Sequence, residues 1–179
     1  MALTATLFNL EISLADVDRG VYESLELKVA QQPSETAEYM VTRVLAYCLE
    51  HTEGIAFTEG VAAGDEPAVL VRALDGRLKA WIEVGMPSAA RLHRGRKLAE
   101  RVAVYSHRNP SVLLRQLAGE KIHAAETIPI YAFAPGFVEQ VAQELERRTR
   151  LSLSVTEREV YLAVGDRHFT TRIEEHALR

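Results

Sequence analysis

The sequence predicts one domain of the mixed α/β (α+β) class, and three observations support this prediction. Strand-like segments with alternating apolar residues occupy both ends of the chain. Between them, segments with helical periodicity alternate with short β-branched runs. The 179 residues, 47% hydrophobic and 26% charged, suit one ordinary globular domain. No repeat, linker or low-complexity segment divides residues 1–179, so we treat them as a single unit.

The N-terminal segment predicts a β-hairpin that is half exposed to water. Residues 3–14 alternate as a strand does, residues 15–20 form a turn, and residues 22–29 return as the partner strand. In the returning strand, Leu25, Leu27 and Val29 share one face, while Tyr22, Ser24, Glu26 and Lys28 share the other.

The first long helix is predicted to begin near Ser34, which is a favourable N-cap residue. Glu35 and Glu38 lie near the positive end of this helix, where a carboxylate stabilises the helix dipole. This ordinary role is one interpretation of both glutamates, and a place in a functional site is the other. The apolar stripe that follows has helical spacing and consists of Met40, Val41, Val44, Leu45, Cys48 and Leu49.

The centre of the chain predicts a second hairpin, which follows a short strand at 54–61. Its strands are 69–73 and 78–84, and Asp75-Gly76 between them is a strong turn signal. In the second strand, Leu78, Ala80, Ile82 and Val84 form a core face, and Lys79, Trp81 and Glu83 point to the opposite side.

A carboxylate cluster is predicted at the open end of this hairpin. Antiparallel pairing brings Asp65 and Glu66 near the 83–85 end of the other strand. Glu83 lies among apolar neighbours, and a buried carboxylate needs a partner or a metal. A metal or catalytic site is therefore one interpretation, whereas a sheet edge or an ion pair is the alternative.

The next helix is predicted to start at Pro87 and to reach about Glu100, and it has the densest positive charge in the chain. Its basic side chains either form a solvated face or contact phosphate, and they are Arg91, His93, Arg94, Arg96 and Lys97. The remaining pattern predicts a strand at 102–106, a short helix at 112–117, a strand at 128–133, a helix at 137–149 and an antiparallel meander at 151–156, 160–164 and 167–173.

Several classes of function are disfavoured by what the sequence lacks. It has no apolar run of about 18 residues and no signal-peptide pattern, so we expect a cytoplasmic protein without membrane contact. Cys48 is the only cysteine, which excludes an internal disulfide. The net charge of −4 disfavours generic coating of DNA. The sequence does not specify an oligomeric state, and a monomer is compatible with it.

No phosphate-binding glycine loop, zinc-protease motif or nucleophile elbow is present, and the six histidines lack ligand spacing. The remaining chemistry is carboxylates beside a basic helix. This combination suits a hard cation such as Mg²⁺, with Mn²⁺ as a substitute, acting on phosphates.

The chain resembles the YaeQ family of small bacterial proteins over nearly its whole length. The resemblance rests on the start Met-Ala-Leu-Thr-Ala-Thr, on Pro33-Ser34-Glu35-Thr36 with Glu38, on Asp65-Glu66-Pro67, on Trp81-Ile82-Glu83-Val84-Gly85 with Pro87, and on the helix with Arg91 and Arg94. It implies a restriction-endonuclease-like fold of the PD-(D/E)XK type, in which a mixed central sheet is flanked by helices. The N-terminal hairpin and the C-terminal strands are then additions to this core.

The resemblance also implies roles for individual residues. Asp65, with Glu66 as the alternative, takes the first acidic position of the nuclease motif, and Glu83 takes the second. Either Glu35 or Glu38 is the glutamate of the first helix. The chain departs from the motif at Gly85, where a lysine is expected.

Three basic residues are candidates to replace that lysine. Lys79 shares a face with Glu83, but four residues of strand separate them by about 13 Å. Arg94 or Lys97 on the following helix is a better substitute, because a guanidinium can contact a phosphate through two hydrogen bonds and stabilise developing charge, although it cannot serve as a base.

These features lead to two expectations about function. The first is a Mg²⁺-dependent phosphodiesterase of nuclease type, in which Asp65 or Glu66 and Glu83 hold the metal and Arg94 or Lys97 contacts the phosphate of a nucleic acid. The second is a non-catalytic module of the same fold that binds nucleic acid or an acidic protein.

Overall fold

The computed structural model describes residues 4–59 and 64–178. In this part of the chain, four α-helices accompany two mixed sheets. In chain order the elements are β1 (Thr6–Asp16), β2 (Val21–Gln31), α1 (Ala37–Leu49), β3 (Ile55–Phe57), β4 (Val69–Arg72), β5 (Leu78–Val84), α2 (Ala89–Leu98), β6 (Ala99–Ser106), α3 (Pro110–Leu117), β7 (Pro129–Ala132), α4 (Phe137–Glu144), β8 (Arg148–Thr156), β9 (Glu159–Val164), β10 (Arg167–Arg172) and β11 (Glu174–Ala177).

The first sheet combines the two ends of the chain in the order β10-β9-β8-β1-β2. The predicted N-terminal hairpin and C-terminal meander are both confirmed as antiparallel units. They are joined by parallel pairing of β1 with β8, in which Ile12 lies opposite Leu151. The inner face is apolar because alternate residues of each strand are buried.

The second sheet has the order β11-β7-β6-β5-β4-β3, and its central strands β5, β6 and β7 are parallel. The predicted hairpin is present as the antiparallel pair β4 and β5. Its turn contains Gly76 at φ 89°, a left-handed conformation that glycine adopts without a Cβ penalty. The predicted faces of β5 are confirmed for Ala80, Ile82 and Val84 on one side and Trp81 on the other. Leu78 departs from the prediction, because it packs in the cluster of Trp81.

The helices cover both faces of the second sheet. One core lies between the sheets and contains the stripe of α1 together with Ala80, Ile82 and Val84 of β5. A second core on the opposite face contains Trp81 and packs against α2 and α3. No helix in the described ranges is both long and apolar enough to cross a membrane.

Helix boundaries differ from the predictions by up to five residues. The N-cap of α1 is Thr36, whose hydroxyl accepts from the Tyr39 backbone N–H, and Ser34 lies outside the helix. The N-cap of α2 is Ser88, so Pro87 precedes the helix. Helix α4 ends at Glu144, because the backbone from Arg148 pairs with β1.

Two of the predicted strands include positions that lie outside the described residues. The strand predicted at 54–61 is β3 at Ile55–Phe57, and positions 60 and 61 of the prediction lie outside the described residues. The predicted start of the first strand at residue 3 also lies outside them.

Candidate functional site

Glu83 lies on the α2 side of β5, and its carboxylate accepts three hydrogen bonds from protein side chains. The residue is only 3% exposed. Arg91 donates from Nε to Oε2 at 3.0 Å and from Nη2 to Oε1 at 2.9 Å. The indole Nε1 of Trp81 donates to Oε1 at 2.9 Å. A two-point contact between guanidinium and carboxylate is the strong, oriented form of this ion pair.

Close packing of α2 on β5 places Arg91 at this carboxylate. Trp81 and Glu83 are two residues apart, so they share the face that α2 covers. Gly95 allows the helix to approach, because a Cβ at this position would lie 2.7 Å from Cδ1 of Trp81. The first turn of α2, capped by Ser88, then presents Arg91 to Glu83.

Arg91 also holds the loop that precedes β4. Its Nη1 donates to the carbonyl of Gly64 at 2.7 Å, and its Nη2 donates to the carbonyl of Glu66. The side chains of Asp65 and Glu66 themselves are exposed. The hydrogen bonds that Arg91 donates to Glu83 are the main cause that raises the pKa of Arg91, and the charges of Glu83 and Asp65 add to it. One guanidinium therefore connects the two ends of the hairpin.

Glu35 forms a separate ion pair inside the protein. Arg43 donates to Oε2 at 2.6 Å and to Oε1 at 2.9 Å, and both side chains are almost fully buried. The backbone N–H of Gln32 donates to Oε1 at 3.0 Å, and Arg43 also reaches the carbonyl of Ala30 at 2.8 Å. The pair therefore fixes the start of α1 to the end of β2.

Glu38 lies in the first turn of α1 and is partly exposed, and its neighbour Tyr39 lies beside Gly85. Burial raises the pKa of Tyr39, and the charge of Glu83 raises it further. Gly85 has φ 84°, and a Cβ there would lie 3.4 Å from the Tyr39 ring. Glycine at the position of the motif lysine is thus explained by the backbone, since a lysine would be strained in this conformation.

Arg94 and Lys97 are exposed on α2, three residues apart, and follow Arg91 along the helix. No ion pair involves either side chain among residues 4–59 and 64–178. They do not contact Glu83, whose cationic partner is Arg91. Lys79, which shares the face of Glu83, is also not its partner.

Two of the carboxylates predicted for a metal or catalytic site, Glu83 and Glu35, are each occupied by an arginine. Both oxygens of Glu83 and both oxygens of Glu35 already accept hydrogen bonds from arginine. Within the described part of the chain, no group of three or more His, Cys, Asp or Glu side chains is placed to hold a metal ion. Mg²⁺ and Mn²⁺ need free carboxylate oxygens, which Glu83 and Glu35 do not offer in this arrangement.

The sequence patterns did not single out His107, which directly follows β6. Thr42 is fully buried and donates its only hydroxyl hydrogen to the carbonyl of Glu38 at 2.7 Å. Its oxygen lies 3.2 Å from Nδ1 of His107, so we assign the hydrogen of this contact to Nδ1. Burial lowers the pKa of His107, which favours the neutral ring. The sequence feature that could have identified His107 as a candidate is its position at the carboxyl end of a buried parallel strand.

Residues 1–173 match the family model for YaeQ protein, so the chain belongs to the YaeQ family. It is 27% identical over 164 residues to a protein of Salmonella typhi described as "Uncharacterized protein YaeQ", with 91% of each chain covered. It is 36% identical over 107 residues to the protein of the same description from Escherichia coli (strain K12), which covers 60% of this chain and 59% of the relative.

Two solved structures have the same fold. The crystal structure of YaeQ protein from Pseudomonas syringae aligns with a TM-score of 0.85 at 30% identity, covering 96% of this chain and 95% of the other. The structure of YaeQ protein from Xanthomonas axonopodis pv. citri aligns with a TM-score of 0.89 at 24% identity, covering 98% and 100%. The family resemblance inferred from the sequence motifs is therefore confirmed.

Proposed function

We propose that this member of the YaeQ family is a non-catalytic nucleic-acid-binding module with a restriction-endonuclease-like core. The observation that carries the proposal is the two-point contact of Arg91 with both oxygens of Glu83. The order α1, β3, β4, β5, α2, β6 supports the proposed core, because it is the order that the resemblance implies.

In this proposal, Arg91 serves as the permanent counter-ion of Glu83. The pair is supported by the indole N–H of Trp81 and by the two carbonyls of the 64–66 loop. Removing one partner from a fully buried ion pair costs about 3–5 kcal/mol. The cost is lower here because Arg91 reaches water, but it still opposes release of the carboxylate. A metal ion at this carboxylate would activate a bound water for hydrolysis, whereas an arginine does not. With Arg91 as the counter-ion, Glu83 therefore has a structural role in this proposal.

The binding surface in this proposal is the exposed face of α2 that carries Arg94 and Lys97. Both cations are free of carboxylate partners within the described ranges, so phosphate contact does not require an existing pair to break. Contacts of this kind attach a protein to a phosphate backbone without selecting a base sequence. We therefore expect weak, salt-dependent binding to nucleic acid.

The test is fluorescence anisotropy with labelled single-stranded and double-stranded DNA and RNA, over a range of salt concentrations. The variant is Arg94→Glu with Lys97→Glu, and the control is Lys28→Glu with Arg148→Glu. Lys28 and Arg148 are exposed on the first sheet, and their replacement changes the net charge by the same amount.

We expect the α2 variant to bind more weakly than the wild type and the control to retain most of the wild-type affinity. Loss of two phosphate contacts should reduce the slope of log affinity against log salt by about two. If the two variants bind equally, the α2 face is not the binding surface. If the wild-type protein binds no nucleic acid at low salt, the proposed function is wrong.

The second candidate function is a Mg²⁺-dependent phosphodiesterase, and one observation favours it. The Arg91 side chain is 32% exposed, and its other partners are backbone carbonyls of the loop that carries Asp65 and Glu66. This activity requires Arg91 to release Glu83, and Arg94 or Lys97 would then contact the phosphate.

Calorimetric titration with Mg²⁺ and Mn²⁺ distinguishes the candidates when wild type, Arg91→Gln and the double variant Glu83→Gln/Arg91→Gln are compared. Metal binding that appears in Arg91→Gln and disappears in the double variant would support a site concealed by Arg91. Cleavage of DNA or RNA by wild type that Glu83→Gln abolishes would favour the phosphodiesterase. Absence of both results would contradict it.

A further inference from the structure

A polar pocket lies at the seam between the two sheets, at the opposite end of α1 from Glu38. Its volume is about 320 Å³. This seam pocket lies on the α1 side of the second sheet, because its lining residue Tyr105 belongs to the core between the sheets, whereas Glu83 lies on the α2 side. The pocket has an apolar base of Leu49, Val155 and Ile173, and polar side chains surround that base.

One wall of the seam pocket is a hydrogen-bonded network around Glu50. Arg101 donates from Nη1 to both carboxylate oxygens at 2.7 Å, and the hydroxyl of Tyr105 donates to Oε1 at 2.8 Å. Arg101 also donates from Nη2 to the Tyr131 hydroxyl oxygen at 3.2 Å. The hydroxyl hydrogen of Tyr131 is therefore available for another acceptor. Burial raises the pKa of Tyr131, so this hydrogen is retained at neutral pH.

The opposite wall contains two carboxylates that already have partners. Asp16 accepts from the backbone N–H of Arg19 at 3.2 Å and from its Nε at 2.7 Å. The other nitrogens of Arg19 donate to the carbonyls of Cys48 and His51 and so cover the C-terminal end of α1. Asp18 accepts from two backbone N–H groups of the β8–β9 turn, at 2.7 and 3.0 Å.

That turn is strained, and it places Arg158 at the pocket. Glu157 and Arg158 have φ values of 51° and 64°, a conformation that usually requires glycine or asparagine. Asp18 and the backbone N–H of Ile173, which donates to the Arg158 carbonyl at 2.8 Å, hold the turn in place. Strain of this kind persists where surrounding contacts determine the conformation, and it is frequent at ligand clamps.

The unpaired groups of the pocket lining favour a ligand that accepts hydrogen bonds. Every carboxylate of the lining has an internal donor. By contrast, Nε of Arg101 has no partner among the described residues, and neither do Nε and Nη1 of Arg158, whose Nη2 donates to Glu175 at 2.8 Å. The Tyr131 hydroxyl hydrogen is also free. The unsatisfied groups are thus donors on cationic or neutral side chains.

We infer that the seam pocket binds a small molecule with a carboxylate or phosphate group. Its anionic group accepts from Arg101, Arg158 and Tyr131, and its apolar part lies on Leu49, Val155 and Ile173. Arginine suits both anions because its fork of donors matches their oxygens. Sites of this type commonly combine an apolar base with a few convergent polar groups.

Isothermal titration calorimetry at constant ionic strength tests the inference with benzoate, phenyl phosphate and the neutral benzamide. The variants are Tyr131→Phe, Arg101→Gln and Arg158→Gln. Arg150→Gln is the matched control, because Arg150 is an exposed arginine bound to a single carboxylate on the first sheet.

We expect at least one anionic probe to bind and benzamide not to bind. Each pocket variant should weaken the affinity by about tenfold or more, as expected for loss of a charge-assisted hydrogen bond, and Arg150→Gln should not. Preference for benzoate or for phenyl phosphate identifies the anionic group.

Arg101→Gln leaves Glu50 without its cation and is the variant most prone to misfold, so Tyr131→Phe and Arg158→Gln provide the decisive comparison. Binding that is unchanged in both variants would overturn the inference. It would also be overturned if neither anion binds the wild-type protein, or if benzamide binds equally well.

Discussion

The ion pair between Glu83 and Arg91 predicts that Glu83→Gln destabilises the protein. The substitution keeps the shape of the side chain and one carbonyl oxygen, which can still accept from Trp81. It removes the negative charge and turns an amide donor toward the guanidinium N–H groups. The result is a partly buried cation without its counter-ion, which is the usual reason that breaking a buried pair is costly.

The size of the effect follows from the burial of the two partners. Removing one member of a buried pair costs about 3–5 kcal/mol. The Glu83 side chain is 4% exposed, but that of Arg91 is 32% exposed and can turn toward water. We therefore expect a loss of about 2–3 kcal/mol, below the full cost for a completely buried pair. For a chain of this size the melting temperature should fall by about 4–12 °C.

Urea denaturation monitored by tryptophan fluorescence measures this loss at the site itself, because Trp81 is the only tryptophan and donates to Glu83. Glu11→Gln is the control, since Glu11 forms an exposed pair with Arg150 and should change stability by less than about 1 kcal/mol. A Glu83→Gln variant as stable as wild type would refute the reasoning. That result would instead indicate crowded carboxylates whose repulsion the substitution relieves.

Three further predictions address other parts of the chain. Glu35→Gln should cost about 3–5 kcal/mol in urea denaturation, because Arg43 is almost fully buried and has no access to water; an unchanged midpoint would contradict this. Gly95→Ala should cost about 1–3 kcal/mol and shift the fluorescence of the overlying indole, and unchanged emission would show that α2 is not in close contact. Burial lowers the pKa of His107, so the unfolded chain binds the proton first and wild-type stability should fall as the pH drops below about 6.5. Melts between pH 5 and 7 should show a shallower decline for His107→Gln than for wild type, whereas the exposed control His168→Gln should follow wild type; equal slopes for both variants would exclude His107 as the cause.

Local patterns in the sequence were sufficient to predict most elements of the fold. Alternation in the terminal segments and the Asp75-Gly76 turn identified the hairpins, because these signals depend on neighbouring residues. The parallel pairing of β1 with β8 was not predictable, since it joins residues as distant in sequence as Glu11 and Arg150, which are 139 positions apart. Such a contact depends on which apolar faces remain to be covered after local structure has formed.

The start of α1 shows how a small boundary error changes the interpretation of a site residue. With Ser34 as the N-cap, Glu35 would be the first helical residue and would face the helix dipole. With Thr36 as the N-cap, Glu35 precedes the helix, where its carboxylate meets Arg43 two turns further along. Sequence periodicity does not fix a helix start to within two residues, and this uncertainty was enough to hide the ion pair.

The buried carboxylates in the described part of the chain are all neutralised in the same way, by an arginine, and this pattern helps to interpret Glu83. Asp16, Glu35 and Glu83 are the carboxylate residues that are at most 5% exposed, and each is paired with an arginine three or eight positions later. A carboxylate among apolar residues therefore indicates a buried charge, but it does not reveal whether the counter-ion is a metal or an arginine. Because the Asp16 and Glu35 pairs each connect parts of the fold, the same arrangement at Glu83 favours a structural role for this carboxylate over a metal-binding one.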